Sequence, residues 1–212
     1  MSKKTQQSSI ALTQVIEIPE GSLVLMCAAP NSGKTHFTKK HFATLKNVTL
    51  ICSDDLFREQ AEKASLFETY EGLMKKTTNI LETMLLDGVS KGHTVVIDAT
   101  SHFLDERLRM IEEIGHHFKN IVLIVIDLDF NDLLKHGVKP QSELMKRFDM
   151  YAPEIDNTQG IAMLIKLQFM NGTIYKGVNK VYRVTSQTLN NCKVFIKWLE
   201  QLRRNRQCHK NY

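Results

Sequence analysis

The sequence has few of the features typical of membrane-spanning, secreted or metal-binding proteins. Its apolar runs all fall short of the roughly 18 residues needed to cross a bilayer. Residues 1–9 are polar and basic with no apolar segment behind them, which predicts a disordered tail rather than a secretory signal. The four cysteines include no CxxC pair. We therefore predict a cytoplasmic protein (host cytoplasm for a viral one) with free thiols, no zinc site and no membrane partner.

Charge of one sign does not dominate the sequence, although basic residues are in excess. The chain of 212 residues has 28 lysines and arginines against 23 acidic residues, a net charge of +5. Part of this excess lies at residues 203–210, which include Arg203, Arg204, Arg206 and Lys210. A polyanionic partner such as nucleic acid would account for it, and so would a solvated tail. Charge alone therefore leaves the partner open.

Short apolar runs alternate with longer amphipathic stretches along the chain. We predict strands at residues 22–27, 48–52, 94–98, 120–127 and 180–184, and helices at 33–42, 54–63, 66–90, 104–116 and 189–203. Ser53 is the predicted N-cap of the second helix. Strands that are apolar throughout are typical of a parallel sheet covered by helices on both faces. The expected fold is α/β, a doubly wound three-layer sandwich with about five mostly parallel strands.

The domain organisation is predicted to be simple. Residues 10–205 are expected to form a single domain, because a chain of this length supports one core and no linker interrupts it. Residues 1–9 and 206–212 are expected to form a disordered tail and a basic tail. Within the domain, residues 130–170 are less regular. They predict either a mobile lid or a surface helical hairpin without a catalytic role.

The strongest chemical signal is the segment AAPNSGKT at residues 28–35, a P-loop or Walker A pattern between a predicted strand and a predicted helix. Lys34 is expected to contact the β- and γ-phosphates of a nucleoside triphosphate, and Thr35 to ligate Mg²⁺. Ala28 replaces the usual first glycine, which alanine can do where φ is negative. The predicted nucleotide contacts are Ala29, Pro30, Asn31, Ser32, Gly33, Lys34, Thr35 and His36.

Acidic residues and an arginine follow the second predicted strand in the segment SDDLFR at residues 53–58. Because strand ends line the ligand crevice of a parallel sheet, Asp54 and Asp55 are expected near the phosphates. A carboxylate there can accept a proton from an attacking hydroxyl. Arg58 lies one turn beyond Asp55 and can clamp a phosphate of the acceptor. The same pattern is also typical of an ordinary helix start with a local ion pair.

A third polar segment, ATS, follows the apolar strand that ends at Asp98. An acid at this point is the usual second Mg²⁺ contact of P-loop proteins, often through water. Thr100 and Ser101 are predicted either to bind the acceptor or to cap the next helix.

Together, AAPNSGKT, SDDLFR and VVIDATS resemble the P-loop polynucleotide 5′-hydroxyl kinases, the kinase module of phage and bacterial end-healing enzymes, over about residues 23–126. The resemblance implies a P-loop kinase-like fold with a helical lid and a role in nucleic acid repair. It implies transfer of the γ-phosphate of ATP, with Mg²⁺, to a 5′-hydroxyl of DNA or RNA. It also implies that Asp55 is the general base and that Arg58 contacts the acceptor's phosphate.

One departure from the family leaves the acceptor open. No arginine lies between the fourth predicted strand and Arg147, where the family has a lid arginine, although Lys135 and Lys139 are present. A P-loop kinase acting on a nucleoside, a modified base or another small hydroxyl is one alternative. A non-transferase nucleotide-binding protein is another. A transferase should lose transfer but keep nucleotide binding in Asp55→Asn, whereas a simple ATPase switch should keep its turnover.

Overall fold

The computed structural model of the protein describes residues 13–65, 67–99, 101–135 and 155–197. The strands are β1 (Gln14–Pro19), β2 (Leu23–Ala28), β3 (Val48–Cys52), β4 (Thr94–Asp98), β5 (Ile121–Ile126), β6 (Lys180–Val184) and β7 (Cys192–Lys197). The helices are α1 (Lys34–Phe42), α2 (Ser53–Lys63), α3 (Tyr70–Ser90), α4 (Leu104–Ile114), α5 (Phe130–Lys135) and α6 (Ile155–Met170). The strands predicted in the central sheet are thus all present.

The central sheet has five parallel strands in the order β3-β4-β2-β5-β6. Every residue of β2 is buried, as expected for a strand covered by helices on both faces. The predicted α/β class and the five-stranded parallel sheet are confirmed. Because β2, β3 and β4 are parallel, the loop after β2 lies at the same end of the sheet as the carboxyl ends of β3 and β4. The register pairs Cys52, at the end of β3, with Asp98, at the end of β4.

Helix α3 packs closely against the β3–β4 side of the sheet, and Gly88 allows this approach. A Cβ atom at this position would lie 2.8 Å from Thr49 Oγ1 and 2.9 Å from Val95 Cγ2. Neither atom has much room to move, because both belong to short branched side chains on the sheet. Gly88 is therefore a packing requirement, and α3 anchors the edge strand from which the acidic segment begins.

A second, two-stranded parallel sheet joins β1 to β7 and was not predicted. Tyr182 of β6 ties β1 to the main sheet, because its hydroxyl accepts from Glu17 N at 3.0 Å and donates to Glu17 O at 2.5 Å. The predicted helix at residues 189–203 is wrong over 192–197, which form β7. Val194, Phe195 and Ile196 favour a strand, and the partner that selects it lies about 180 residues earlier in the chain.

Several helix boundaries also differ from the predictions. Ser53 is the first residue of α2 rather than its N-cap, and its hydroxyl donates to Asp98 O at 3.3 Å. Helix α3 begins at Tyr70 instead of residue 66, because the Thr69 hydroxyl caps it by accepting from Gly72 N. Helix α4 ends at Ile114 and a short 3₁₀ turn follows. Residues 136–154 of the irregular stretch and the expected tails at 1–9 and 206–212 lie outside the described residues.

The cysteines that the structure describes, Cys27, Cys52 and Cys192, are free and buried, which confirms the prediction for these three. Burial raises the pKa of the Cys27 thiol to about 12. In the described part of the chain, no helix is both long enough and apolar enough to span a bilayer.

Candidate functional site

The loop between β2 and α1 has the backbone conformation that a phosphate-binding loop needs. Asn31 and Gly33 are left-handed, with φ of 60° and 81°. Left-handed residues in a tight loop turn successive backbone N–H groups toward one concavity, where an anion can be held. The loop then leads directly into the N-terminus of α1, which adds the favourable end of a helix dipole.

Ala28 satisfies the condition placed on it by the sequence. Among the described residues, Asn31 is the one non-glycine residue with a positive φ, so Ala28 has a negative φ that suits alanine. Gly33 is different, because a Cβ there would meet no atom within 4 Å and yet the backbone is left-handed. The loop therefore needs glycine at 33 for conformation alone, and it does not need one at 28.

Lys34 and Asp98 form a buried ion pair at the centre of the site. The Lys34 ammonium contacts Asp98 Oδ1, and the two side chains are 17% and 1% exposed. Burial lowers the pKa of Lys34, and the exposed Asp54 carboxylate opposes that shift. Two predicted site residues from different strands are thus in contact, with Asp54 close enough to act on the same ammonium.

The donor atoms around this pair suit a magnesium ion bound together with a nucleotide. Asp98 Oδ2 is buried and has no hydrogen-bond partner among the described residues, and the hydroxyl of Thr35 lies at the start of α1. No group of three or more His, Cys, Asp or Glu side chains able to hold a metal occurs in those residues. Mg²⁺ at phosphate-transfer sites typically takes only one or two protein ligands, because phosphates and waters complete its shell.

Asp55 lies between two cations in the first turn of α2. Its Oδ2 is 2.5 Å from Lys39 Nζ of α1, and its Oδ1 is 3.6 Å from Arg58 Nη1 of α2. The sequence predicted Asp55 and Arg58 as neighbours but did not identify Lys39. The hydrogen bond to Asp55 raises the pKa of Lys39. No local pattern shows this contact, because it depends on how α1 and α2 lie against each other.

A second feature that the sequence did not reveal supports the segment after β4. Arg107 of α4 is fully buried and donates to Ser101 O at 3.0 Å and to Gln168 Oε1 at 2.9 Å. Gln168 of α6 in turn donates to His102 O at 2.7 Å. The backbone of Ser101 and His102 is therefore fixed from two helices. Thr100, a predicted acceptor contact, lies outside the described residues.

Side chains in this segment are close to the phosphate loop. The Ser101 hydroxyl is buried without a hydrogen-bond partner in the described part of the chain, so it is available for a ligand. Burial lowers the pKa of the neighbouring His102, and the charge of Lys34 lowers it further. The charge of Lys34 therefore reaches His102, which directly follows Ser101 in the chain.

A cavity of about 260 Å³ lies next to α1 and the loop that precedes it. It is lined by Ser32, Gly33, His36, Phe37 and Lys40 from the loop and α1, and by Leu189 and Asn190 from the β6–β7 connection. The cavity adjoins the phosphate loop, and its lining combines apolar and polar side chains.

Of the two lysines considered as replacements for a lid arginine, Lys135 lies in the described residues and Lys139 does not. Lys135 of α5 is largely exposed and pairs with Asp132 at 2.5 Å. Lys139 and Arg147 lie outside the described residues.

Comparison with known proteins gives the family and the fold of the chain. A family model described as an AAA domain matches residues 23–143. A chain in the Pnkp1/Rnl/Hen1 RNA repair complex is similar, with a TM-score of 0.54 and 18% identity, over 73% of this chain and 46% of that chain. A chain of the PezAT chromosomal toxin–antitoxin system of the human pathogen Streptococcus pneumoniae is also similar. There the TM-score is 0.52 and the identity 12%, over 85% of this chain and 72% of that one.

These likenesses establish a P-loop kinase-like fold. No curated protein matches the sequence. The chain spans less than half of its counterpart in the RNA repair complex, 46% of that length.

Proposed function

The chain belongs to the AAA domain family, whose model covers residues 23–143, and from this premise we propose that it is a kinase. It transfers the γ-phosphate of ATP, with Mg²⁺, to the 5′-hydroxyl end of DNA or RNA. The observation that carries the proposal is the position of Asp55, a carboxylate held between Lys39 and Arg58 at the strand end next to the phosphate loop. A nucleotide-binding switch has no need of a carboxylate and an arginine at this place.

On the donor side, the loop and α1 receive the triphosphate. Lys34 exchanges its contact with Asp98 for the β- and γ-phosphates, which are stronger partners because they carry more charge. This exchange frees the second oxygen of Asp98, so that both carboxylate oxygens become available. Thr35 and Asp98 would hold Mg²⁺, and the ion would supply positive charge to neutralise the charge that develops between the β- and γ-phosphates.

On the acceptor side, Asp55 takes the proton of the attacking hydroxyl, and Arg58 holds the adjacent phosphate. The 3.6 Å separation between Arg58 Nη1 and Asp55 Oδ1 exceeds a hydrogen bond, so little is lost when Arg58 turns to a phosphate. A bond forms between the acceptor oxygen and the γ-phosphorus, the bond from that phosphorus to the bridging oxygen breaks, and ADP leaves. Asp54, Thr100 and Ser101 are proposed to line the acceptor's path.

The cavity beside α1 is the proposed site of the donor base. It adjoins Gly33 and is large enough for a nucleobase, with Lys40 and Asn190 as polar groups at its wall. Removing either side chain should raise the KM for ATP and leave the KM for the acceptor unchanged.

Two resemblances and one physical argument support a nucleic acid end as the acceptor. The resemblance of the three strand-end segments to 5′-hydroxyl kinases and the likeness in fold to a chain of an RNA repair complex both favour a nucleic acid end. Arg58 adds a physical reason, because a phosphate beside the hydroxyl gives its guanidinium a partner.

The test is transfer from γ-labelled ATP to a panel of acceptors. The panel contains 5′-hydroxyl DNA and RNA oligonucleotides, a nucleoside 3′-phosphate, an unphosphorylated nucleoside and a sugar alcohol. We expect label on the oligonucleotides, loss of transfer with retained nucleotide binding in Asp55→Asn, and loss of transfer in Lys34→Ala. Label on the nucleoside or the alcohol alone would show a different acceptor and refute the role of Arg58. Unchanged ATP turnover in Asp55→Asn would refute the kinase itself.

A further inference from the structure

The two adjacent lysines of α1 face different parts of the site. Lys40 lines the cavity beside the phosphate loop, whereas Lys39 contacts Asp55 across the gap to α2. Lys39 Nζ lies 2.5 Å from Asp55 Oδ2, which is a direct charge-assisted hydrogen bond. The helix that begins with Lys34 and Thr35 therefore also carries a contact to the candidate general base.

We propose that Lys39 is a positioning residue for Asp55, setting the distance between the attacking hydroxyl and the bound triphosphate. The proposal rests on the proposed function, because it takes Asp55 as the general base. Lys39 itself touches neither phosphate nor acceptor in this scheme. It acts by holding one oxygen of the carboxylate.

The geometry leaves the two oxygens of Asp55 with different tasks. Oδ2 is bonded to Lys39 at 2.5 Å, whereas Oδ1 is 3.6 Å from Arg58, beyond hydrogen-bond length. Oδ1 is thus the oxygen that can accept a hydroxyl proton, once Arg58 has turned to the acceptor's phosphate. With Oδ2 fixed by Lys39, rotation of the carboxylate away from the acceptor is opposed.

The contact also connects two helices that follow different strands of the sheet. Asp55 belongs to α2, after β3, while the phosphate loop and Lys39 belong to β2 and α1. Strand β4 separates β2 from β3 in the sheet. Phosphoryl transfer requires the hydroxyl and the γ-phosphate to be aligned, and a misplacement of about 1 Å can lower the rate by roughly 100-fold. Lys39 links the helix after the phosphate-binding loop directly to Asp55.

Stability alone does not account for this pair. Lys39 is 50% exposed and Asp55 35%, and exposed ion pairs contribute little to folding because water screens them. A purely structural role for Lys39 therefore predicts near-normal activity when its charge is removed. The positioning role predicts a loss of kcat in a protein that still folds and still binds both substrates.

The experiment is a double-mutant cycle in the full chain, with single-turnover kinetics on whichever acceptor the wild type phosphorylates. The variants are Lys39→Met, Asp55→Asn and the combination of the two. We expect Lys39→Met to lower kcat by roughly 10- to 100-fold and to change either KM by about twofold or less. In the Asp55→Asn background, Lys39→Met should cause no further loss, because the residue acts only through Asp55.

Two further variants complete the design. Lys39→Arg keeps the charge and should recover part of the lost kcat. Lys63→Met is the matched control, because Lys63 forms an exposed pair with Glu59 at 2.5 Å in the same helix as Asp55. It should behave as the wild type.

Three results would overturn the proposal. The first is a wild-type kcat in Lys39→Met. The second is a loss of kcat from Lys39→Met that is as large in the Asp55→Asn background as in the wild type. The third is an unchanged kcat with a raised acceptor KM, the rise growing with the number of phosphates on the acceptor. The last would show Lys39 to be an acceptor-phosphate contact. Failure of the proposed function is separate, since the wild type would then label no 5′-hydroxyl oligonucleotide, while the cycle can still be measured on another acceptor.

Discussion

Lys34, the first residue of α1, contacts Asp98 at the end of β4, and both side chains of this ion pair are largely buried. Lys34 stands at the start of α1, after the loop that follows β2, and Asp98 is the last residue of β4. The carboxylate is 1% exposed and uses only one oxygen for this contact. The structure thus pairs the proposed phosphate-binding cation with the proposed magnesium contact.

Breaking this pair from one side should destabilise the protein. Asp98→Asn leaves the Lys34 ammonium buried without a counter-charge, at a cost of about 3 kcal/mol in the free energy of unfolding. Urea unfolding with and without Mg-ATP measures the free energy of unfolding. The nucleotide should restore part of the lost stability, because its phosphates give Lys34 new anionic partners. Asp87→Asn is the control, because Asp87 forms an exposed pair with Lys91 and should change stability by about 0.5 kcal/mol or less. Equal losses in the two variants would contradict the assignment of a buried pair.

The left-handed backbone at Gly33 predicts an effect that comes from conformation alone. Gly33→Ala should lower stability by about 1 kcal/mol, since φ is 81° and alanine pays for this region even where space is free. Gly160→Ala, at an open position in α6, should instead raise stability by about 0.5 kcal/mol. Thermal unfolding of both variants gives the comparison. A neutral Gly33→Ala would mean that the loop relaxes to another conformation.

The buried Arg107 should be important for the segment that follows β4. Arg107→Leu leaves Ser101 O and Gln168 Oε1 without their donor, which should cost about 2 kcal/mol in the free energy of unfolding. It should also raise the acceptor KM, because Ser101 is then free to move. Arg109→Leu in the same helix is the control, since Arg109 is 75% exposed and should change stability by about 0.5 kcal/mol or less. If Arg107→Leu is as stable as the wild type, the hydrogen bonds of Arg107 to Ser101 O and Gln168 Oε1 are not needed for stability.

The environment of His102 predicts a loss of stability in acid. Burial and then Lys34 lower its pKa below the ordinary value of 6.5. The unfolded chain then takes up the proton first, so stability is constant above about pH 6.5 and falls as the pH drops below it. His102→Gln should show a shallower fall between pH 6.5 and 5 in urea titrations. Above pH 7 the two proteins should show the same dependence, and an identical fall in acid would contradict the prediction.

Much of the central fold could be predicted because its signals are local. The strands of the main sheet are apolar runs, and the order of strand, GKT and helix at residues 28–35 predicts both the loop and its chemistry. Ala28 in place of the first glycine was correctly interpreted from φ alone, since its backbone is not left-handed. These features depend on neighbours within a few residues, where the sequence is informative.

The second sheet shows where local signals fail. Residues 192–197 have both helical and strand character, and the predicted helix there is wrong because β1, nearly the whole chain away, provides the pairing. Strand preference depends on such partners more than helix preference does. Ile16 and Ile18 of β1 are buried and alternate with less buried residues, the period of two that is typical of a strand.

By itself, the sequence predicted the chemistry of three short segments: a loop and a lysine for phosphates, and carboxylates at the ends of two strands. The tertiary structure decided which of these groups act together. It brought Lys39 into contact with Asp55 and Lys34 into contact with Asp98, and it placed Arg107 where it donates a hydrogen bond to Ser101 O. The physical reason is that a hydrogen bond or an ion pair is fixed by distances of a few ångströms, and those distances arise only when helices from separate parts of the chain pack onto one sheet.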